Sequence, residues 1–572
     1  MPERVLGRLL CTAAIAVVPH LAASPAFPAP RDTHPMGAGA PRGARYSEAP
    51  AVADTTWVDA DGRPIPKPPD GEPSFYGQLF REVVADPIEH ALDIPDKLLL
   101  AAKPFGVHRR REAANVNAFD EVPNSTWFTN RNHVRAVPVA DLLEGPDSTL
   151  LPQKPWTITH PKHGGASAGF QIKDAAGRKW LVKLDWHGHP QLSSGADMVA
   201  RTLLHAAGYA VPHNEPVRFG RGDVKIDDRL LRGTKGERFT SADLESLLAK
   251  GAVLADGSYS AMASLFLPGH VLGSPSLRGR RRRDLNDWYQ HQNRREMRGL
   301  YVISSWLGFW DTKDANFLDT FVTTGDSLGH AQHYILDPGS SFGADANGVK
   351  RAKDDFEGVF DFGWIARRLV TLGFVVEPWR RAHQETGIPS IGRFESDGFD
   401  PGKFVPGMPD PAYREMTDGD AYWGAKIVAS FSNAQIAAAV DAANYEDPRA
   451  RDFLERCLIQ RRDKIARYWF RRVAPLDYFT VRDDELRFHD LEVDIGLARP
   501  RGYDVEVESE GGRTHSPKRV HLTEADLPLG ALQASGRRLS LEISVSDQGA
   551  KSTRVELTRK GTGWSITRVR HG

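Results

Sequence analysis

Cysteine is scarce in this chain: its 572 residues contain two, Cys11 and Cys457. Two cysteines exclude a disulfide-rich scaffold and a zinc domain built on cysteine ligands. The chain also lacks an excess of charge of either sign, since 74 Lys and Arg residues balance 74 Asp and Glu residues. A general nucleic-acid-binding protein needs surplus basic residues to displace phosphate counterions. The composition therefore argues against nucleic acid as a partner.

Long hydrophobic runs are also lacking. The most apolar stretch, residues 9–18, has about half of the ~20 residues that a membrane-spanning helix requires. It follows Arg4 and Arg8 and precedes a small-residue segment near 22–26, which is typical of a cleaved secretory signal, the alternative being an uncleaved anchor. We predict a signal peptide over 1–26, export to a periplasmic, extracellular or secretory-pathway location, and no transmembrane segment.

Changes in composition along the rest of the chain predict several regions. A chain of 572 residues corresponds to three or four domains at roughly 150 residues each. Alternating polar and apolar residues separated by Gly and Ser turns predict a small all-β domain at the C-terminal end, with an immunoglobulin-like sandwich as the default. The predicted order is a Pro/Gly-rich disordered leader (27–74), a helical and loop extension (75–152), a strand-rich region (153–275), a helix-rich region (276–480) and the β-domain (495–572).

The strand-rich region opens with a glycine-rich turn. Gly164, Gly165 and Gly169 lie between the strand patterns WTITHP and FQIKD, and Lys183 lies in the middle of a third strand, WLVKLD. A helix pattern with Asp197 in its first turns follows. A flexible turn lets backbone N–H groups approach phosphates, and a strand lysine neutralises phosphate charge. Together these features predict a phosphate-binding site, although each alone is common.

A second motif follows the helix pattern at 299–308. The sequence DTKDANFL places Asp311, Lys313 and Asn316 in one short loop, and the strand pattern HYILDPG ends in Asp337 about twenty residues later. Such a loop can aim a carboxylate at an acceptor hydroxyl, a cation at a phosphate and an amide oxygen at a metal ion. A carboxylate at a strand end is suited to Mg²⁺.

In this order, the motifs resemble the protein-kinase-like superfamily, in its atypical branch of HipA-type kinases, phosphoinositide kinases and secretory-pathway Golgi casein kinases. The resemblance covers residues 156–345. It implies an α+β, two-lobed kinase-like fold, with the N-lobe over 153–275 and the helical C-lobe over 276–480. It also implies ATP or another nucleotide and Mg²⁺ as cofactors.

The resemblance assigns a role to each candidate site residue. The implied roles are catalysis for Asp311 and Lys313, nucleotide binding for Gly164, Gly165, Gly169, Lys183 and Asp197, and metal binding for Asn316 and Asp337. In the family pattern, an acidic residue at the position of Asp197 orients the strand lysine. The chain departs from the pattern, since Phe309 and Trp310 replace His-Arg, Asp197 replaces Glu, and Pro338 replaces Phe.

These motifs favour an exported atypical kinase that transfers a phosphoryl group to a hydroxyl of a protein, lipid or glycan. The alternative is an inactive pseudokinase that acts as a binding or scaffold protein at the cell envelope. A metal-dependent hydrolase using the same acids is a third, weaker hypothesis.

Other polar residues have both functional and structural interpretations. A metal site is one interpretation of Asp185, His187 and His189, and solvated turn residues are the other. The basic run at 278–283 is interpreted either as a solvated connection between regions or as a contact for an anion. Arg294, Arg295 and Arg298 contact phosphate or lie on a solvated helix face. The remaining expectations are Ser193 or Ser194 as a helix N-cap, Asp361 of a second Asp-Phe-Gly as an N-cap, and Cys457 as a core residue.

Overall fold

The chain folds into a mixed arrangement of helices and sheets. The computed structural model describes residues 60–70, 111–144, 150–162, 166–232, 237–325, 327–357, 362–372, 374, 379, 386–408, 410–509, 518–532, 536–546 and 548–572. Its strands are β1 (Ile65–Pro66), β2 (Trp156–Pro161), β3 (Gly169–Lys173), β4 (Lys179–Leu184), β5 (Asn214–Phe219), β6 (Val224–Ile226), β7 (Leu231–Arg232), β8 (Glu237–Arg238), β9 (Tyr259–Leu265), β10 (His270–Gly273), β11 (Phe317–Thr323), β12 (Leu328–Ile335), β13 (Ala344–Asp345), β14 (Gly348–Val349), β15 (Leu476–Arg482), β16 (Glu485–Asp490), β17 (Tyr503–Ser509), β18 (Lys518–Leu522), β19 (Asp526–Pro528), β20 (Arg538–Val545), β21 (Thr553–Lys560) and β22 (Gly563–His571). Its helices are α1 (Val139–Glu144), α2 (Leu192–Ala207), α3 (Ser241–Leu248), α4 (Arg295–Leu307), α5 (Phe362–Val370), α6 (Pro411–Glu415), α7 (Asp418–Ala429), α8 (Asn433–Asp441), α9 (Pro448–Phe470) and α10 (Leu491–Asp494).

The strand-rich region forms a six-stranded sheet in the order β5-β9-β4-β3-β2-β6. Strands β2, β3 and β4 are consecutive and antiparallel, as the alternation of their residues predicts. Their alternate residues Ile158, Phe170, Trp180 and Val182 are fully buried in one apolar core. The alternation therefore sends the intervening residues, including Lys183, to the other face of the sheet.

Helix α2 follows this sheet and buries the predicted apolar residues Met198, Val199, Leu203 and Leu204. The N-cap prediction at Ser193 or Ser194 is wrong, because the N-cap is Gln191 in the left-handed region with φ 59°. The carboxylate of Asp185 instead accepts hydrogen bonds from the backbone N–H groups of Ser193 and Ser194.

Helices α4, α7, α8 and α9 share the largest apolar core. The predicted capping box from Ser432 to Gln435 opens α8, and Pro448 opens α9. Cys457 is buried, as expected for a core residue. In α4 the predicted face of Leu300, Ile303, Trp306 and Leu307 is fully buried, so the end of α4 is firmly fixed before the loop at 311–316.

The last part of the chain contains a five-stranded antiparallel sheet, β18-β17-β20-β21-β22, and a three-stranded sheet, β15-β16-β19. Both contribute to one apolar core, with Leu486 and Phe488 from one sheet and Leu541 and Val555 from the other. The alternation in 503–571 thus corresponds to strands as predicted.

Two short strands form pairs that cross the region boundaries predicted from the sequence. Ile65 in β1 is buried and pairs with Gly329 of β12, so ordered structure begins inside the predicted leader. Strand β10 pairs with β11 across the predicted boundary at 275. Among the described residues, no helix has the length and apolar character to span a lipid bilayer.

Candidate functional site

The β11–β12 hairpin brings the loop at 311–316 next to Asp337. Phe317, the first residue of β11, pairs with Ile335, the last residue of β12. The backbone N–H of Leu336 donates to the carbonyl of Asn316 over 2.8 Å. Asn316 and Asp337 therefore lie at the same end of one hairpin, although 21 positions separate them.

The loop itself is held by internal contacts. Gly308 ends α4 in the left-handed region with φ 63°, which turns the chain away from the helix. The ammonium of Lys313 lies 3.0 Å from the carboxylate of Asp311. The side-chain N–H of Asn316 donates to the carbonyl of Asp311 over 2.6 Å, which fixes its amide. Both Asp311 and Lys313 remain partly exposed, so a ligand can reach them.

An ion pair joins the six-stranded sheet to the hairpin. Lys183 Nζ of β4 lies 2.8 Å from Asp337 Oδ2, and 40% of the Asp337 side chain is exposed. Burial alone would lower the pKa of Lys183, but the attraction of Asp337 and Asp197 outweighs it and raises that pKa. Burial would raise the pKa of Asp337, but the charges of Lys183, Lys162 and Lys313 lower it. Both groups are therefore charged at neutral pH.

Asp197 lies beside this pair on α2. Its carboxylate accepts a hydrogen bond from Asn214 over 2.7 Å, and the side chain is almost fully buried. Burial raises the pKa of Asp197 to about 7, opposed by Lys183 and Asn214 and reinforced by the negative charge of Asp337. In the described residues, the partner of Lys183 within ion-pair distance is Asp337, and Asp197 acts on Lys183 through its charge.

Gly169 lies in the sheet directly opposite Lys183. A Cβ atom at this position would be 2.3 Å from the carbonyl oxygen of Val182, so the close strand approach requires glycine. The other two glycines predicted to bind phosphate, Gly164 and Gly165, lie outside the described residues.

Sequence reasoning missed Lys162, which follows β2. Its ammonium donates to the carbonyl and hydroxyl oxygens of Ser167 over 2.9 and 3.0 Å. Burial lowers the pKa of Lys162, as does the charge of Lys183, while Asp337 opposes the change. The site thus combines three lysines with Asp337. No local sequence pattern marks Lys162, because its position opposite Gly169 depends on the β2–β3 register.

The donor set suits a hard divalent cation. Asp337 offers a carboxylate that is partly exposed, and the Asn316 amide is oriented by donating its N–H to a carbonyl, so its oxygen is the atom suited to a cation. Mg²⁺ is commonly held by one or two protein oxygens, with water and phosphate oxygens completing its shell. Asp337 and Asn316 fit this pattern, and they are the residues that would hold the ion.

The interpretation of Asp185 as a solvated turn residue is wrong, and no metal-binding group in the described residues includes it. It is buried, and its two oxygens accept hydrogen bonds from the backbone of Gln191, Ser193 and Ser194 and from the hydroxyls of Ser194 and Ser260. In the described part of the chain, no group of three or more His, Cys, Asp or Glu side chains could hold a metal ion. Asp185 instead anchors the start of α2, which carries Asp197.

Both interpretations of the arginines at the start of α4 are wrong. Arg294, Arg295 and Arg298 are buried, and each pairs with a carboxylate inside the protein. Arg295 and Arg298 both pair with Asp420 of α7 at 3.1 Å. No periodicity predicted this, because their partners lie more than a hundred residues away.

The remaining basic and acidic candidates lie elsewhere. In the basic run, the side chain of Arg281 is buried against Asp319 with 2.5 Å between their nearest atoms, while its neighbours Arg280 and Arg282 are exposed. Asp361, the predicted N-cap, lies outside the described residues, and α5 begins at the next position.

Comparisons with known proteins find similar solved structures but no related sequence. No family model matches the chain, and no curated protein matches its sequence. Among solved structures it is similar to the Helicobacter pylori proinflammatory kinase CtkA, with 10% identity and a TM-score of 0.28, covering 56% of this chain and 99% of that one. It is also similar to the Golgi casein kinase with Mn/ADP bound, at 12% identity and a TM-score of 0.28, covering 57% and 74% of the two chains. A second Golgi casein kinase structure matches at 11% identity and a TM-score of 0.28, covering 71% and 95%.

Proposed function

We propose that this chain is an exported atypical kinase with two lobes and an appended C-terminal β-domain. It would bind a nucleotide with Mg²⁺ and transfer a phosphoryl group to a hydroxyl of a protein, lipid or glycan. The observation that carries the proposal is the Lys183–Asp337 ion pair, formed at the same hairpin end as Asn316 and the Asp311 loop. Export rests on the sequence pattern at 1–26.

The lobe assignment rests on where the paired groups originate. Lys183 belongs to the six-stranded sheet, whereas Asp337 and Asn316 belong to the hairpin that follows α4. A cleft between two lobes can bind a phosphate chain with groups from both sides. We infer that the sheet side supplies phosphate binding and the hairpin side supplies metal and acceptor binding.

The nucleotide would supply the phosphoryl group, and Mg²⁺ would neutralise its developing charge. Lys183 would contact phosphate oxygens, since its ammonium is charged and exchanges one anionic partner, Asp337, for another. When ionised, Asp197 would add to the attraction of Asp337 that keeps Lys183 protonated. Asn316 and Asp337 would hold the ion through their side-chain oxygens.

The acceptor side would depend on Asp311. Its carboxylate would accept the proton of the acceptor hydroxyl as the new O–P bond forms. The bond between the γ-phosphorus and the β–γ bridging oxygen would break in the same transfer, and the nucleoside diphosphate would leave. Lys313, 3.0 Å away, would hold that carboxylate in place and offer positive charge to the transferred group. Asn316 would maintain the loop by donating to the carbonyl of Asp311.

Nucleotide-dependent thermal stabilisation tests this proposal. Mg–ATP at about 100 times its dissociation constant is expected to add roughly 2.7 kcal/mol to the free energy of unfolding of the wild type. Asp337→Ala should lose this stabilisation, while Asp228→Ala, which removes an exposed aspartate after β6, should keep it. An unchanged midpoint for the wild type with ATP, ADP and GTP would contradict nucleotide binding.

A pseudokinase is the second candidate, and one observation favours it. Both acids proposed for chemistry are already paired with lysines, Asp337 with Lys183 and Asp311 with Lys313. A protein that only binds nucleotide or partners could keep these pairs permanently. Transfer of labelled γ-phosphate to a mixture of proteins, lipids or glycans separates the two: the kinase loses transfer in Asp311→Asn but keeps nucleotide binding, whereas the pseudokinase shows no transfer in any form.

A further inference from the structure

Two lysines of the six-stranded sheet lie on either side of a glycine. Lys183 of β4 is directly opposite Gly169 of β3. The N–H of Lys162 donates to the carbonyl of Gly169 over 3.1 Å, which extends the β2–β3 pairing by one residue beyond Pro161 and Phe170. Residues opposite one another on neighbouring strands share a face of the sheet. Lys162, Gly169 and Lys183 therefore form one row across three strands.

The missing side chain at Gly169 allows the two lysines to converge. A Cβ at Gly169 would lie 3.3 Å from Lys162 Cδ and 3.3 Å from the Cα of Lys183. The aliphatic stem of Lys162 thus crosses over the glycine toward Lys183. Neighbouring strands are about 4.8 Å apart, so the backbones of the two lysines are about 10 Å apart, a distance that two long side chains can close.

The electrostatic environment agrees with this convergence. Lys162 and Lys183 repel each other, and both are attracted by Asp337. The charge of Lys313, in the loop at 311–316, also acts on this carboxylate. Lys162 and Lys183 carry like charges and lie beside Asp337, so a ligand with several negative charges, such as a chain of phosphates, can neutralise both.

We propose that Lys162 is a second phosphate-binding lysine of the sheet, which contacts the polyphosphate chain of a nucleoside triphosphate together with Lys183. Its contacts with the carbonyl and hydroxyl of Ser167 are its position without ligand, and phosphate oxygens replace these neutral acceptors when the nucleotide binds. The inference rests on the proposed nucleotide binding. It adds that the affinity for nucleotide depends on the number of phosphates through Lys162, a residue to which the resemblance to kinases assigns no role.

Isothermal titration calorimetry measures the affinity of the full chain for Mg–ATP, Mg–ADP, AMP and adenosine, and it tests the role of Lys162. Lys162→Ala is expected to weaken Mg–ATP binding about tenfold, as removal of one charge-assisted hydrogen bond predicts, and to leave adenosine binding unchanged. Lys162→Arg should retain most of the Mg–ATP affinity, because it keeps the charge. Lys173→Ala removes an exposed lysine at the other end of β3 and is the matched control.

Each outcome of the titration distinguishes this inference from the proposed function. Equal affinities of Lys162→Ala and Lys173→Ala for Mg–ATP, with loss of binding in Lys183→Ala, would overturn the role of Lys162 and leave the proposed function intact. An equal loss for all four ligands in Lys162→Ala and Lys162→Arg would also overturn it, since that pattern indicates damage to the sheet. A wild type that binds none of the four ligands would overturn both.

Discussion

Asp197 is the residue of the candidate site whose charge changes near neutral pH. Burial raises its pKa to about 7, and Asn214 and Lys183 oppose that rise. An aspartate in the unfolded chain loses its proton near pH 4. Between these two values the folded protein binds the proton and the unfolded chain does not, so raising the pH destabilises the fold.

The substitution Asp197→Asn is expected to remove this pH dependence. The free energy of unfolding of the wild type should fall, relative to the variant, by as much as about 4 kcal/mol between pH 4 and pH 8, because about three pKa units separate the two states. Denaturant unfolding of both proteins across this range measures the difference. Asp228→Asn, at an exposed position, is the control. A difference that stays constant with pH would show that Asp197 ionises normally.

The residues of the candidate site differ in how far the sequence could predict their place in it. Lys183, Asp311, Asn316 and Asp337 were found because each stands at a characteristic place in its own segment, a strand centre, a short loop or a strand end. Lys162 has no such local signature. Its importance depends on the register of β2 and β3 and on the glycine between two lysines, which a single segment does not encode.

At the scale of elements, the position of α2 depends on a carboxylate outside it. Asp185, at the end of β4, accepts five hydrogen bonds from Gln191, Ser193, Ser194 and Ser260 while 1% of its surface is exposed. It satisfies backbone N–H groups at the start of α2 that have no partner within the helix. Since β4 carries Lys183 and α2 carries Asp197, this contact sets the distance between the two.

Asp185→Ala is expected to lower the free energy of unfolding by about 3 kcal/mol, because it leaves several buried donors without an acceptor. Asp185→Asn should lose less, since burial raises the pKa of Asp185 and makes a neutral side chain less costly there. Urea unfolding measures both values, with Asp228→Ala as an exposed control. A loss below about 1 kcal/mol in Asp185→Ala would show that α2 is fixed by its apolar face alone.

Elements were predicted with different success for a physical reason. Strands β2 to β4 and helices α4, α8 and α9 have strong local signals, namely alternation, an apolar face or a cap. The pairings of β1 with β12 and of β10 with β11 join short segments across long stretches of chain, so no local pattern indicates them. For that reason the boundaries predicted at 74 and 275 separate strands that pair with each other.

At the scale of the whole molecule, a buried ionic network joins distant parts of the chain. Lys426 of α7 contacts Glu121, near the start of the described chain, and lies 2.9 Å from Asp477 of β15. His571, at the end of β22, lies 3.0 Å from Asp120 and stacks on a tyrosine next to these groups. Polar contacts therefore connect helix α7, the three-stranded sheet and the five-stranded sheet, in addition to apolar contacts.

The charged groups of this network shift one another's pKa values. Burial would lower the pKa of Lys426, but Asp477 and Glu121 outweigh burial and raise it. Burial raises the pKa of Glu121, whereas for Asp477 the attraction of Lys426 overcomes burial and lowers the pKa. One ammonium thus stabilises two carboxylates that lie 356 positions apart. Sequence composition shows equal numbers of acids and bases but cannot show that some of them pair inside the core.

Lys426→Met is expected to destabilise the whole fold by about 3–5 kcal/mol, since it leaves Glu121 and Asp477 buried without their ammonium partner. These carboxylates can then take up protons, so the loss relative to the wild type should shrink as the pH falls from 7 to 5. Adding Glu121→Gln should restore part of the stability by removing one uncompensated charge.

Denaturant unfolding followed by tryptophan fluorescence and by circular dichroism measures the effect, with Lys250→Met as an exposed control. If the network joins helices and sheets into one cooperative unit, both signals will move together in Lys426→Met; separate shifts would show that the C-terminal sheets unfold independently.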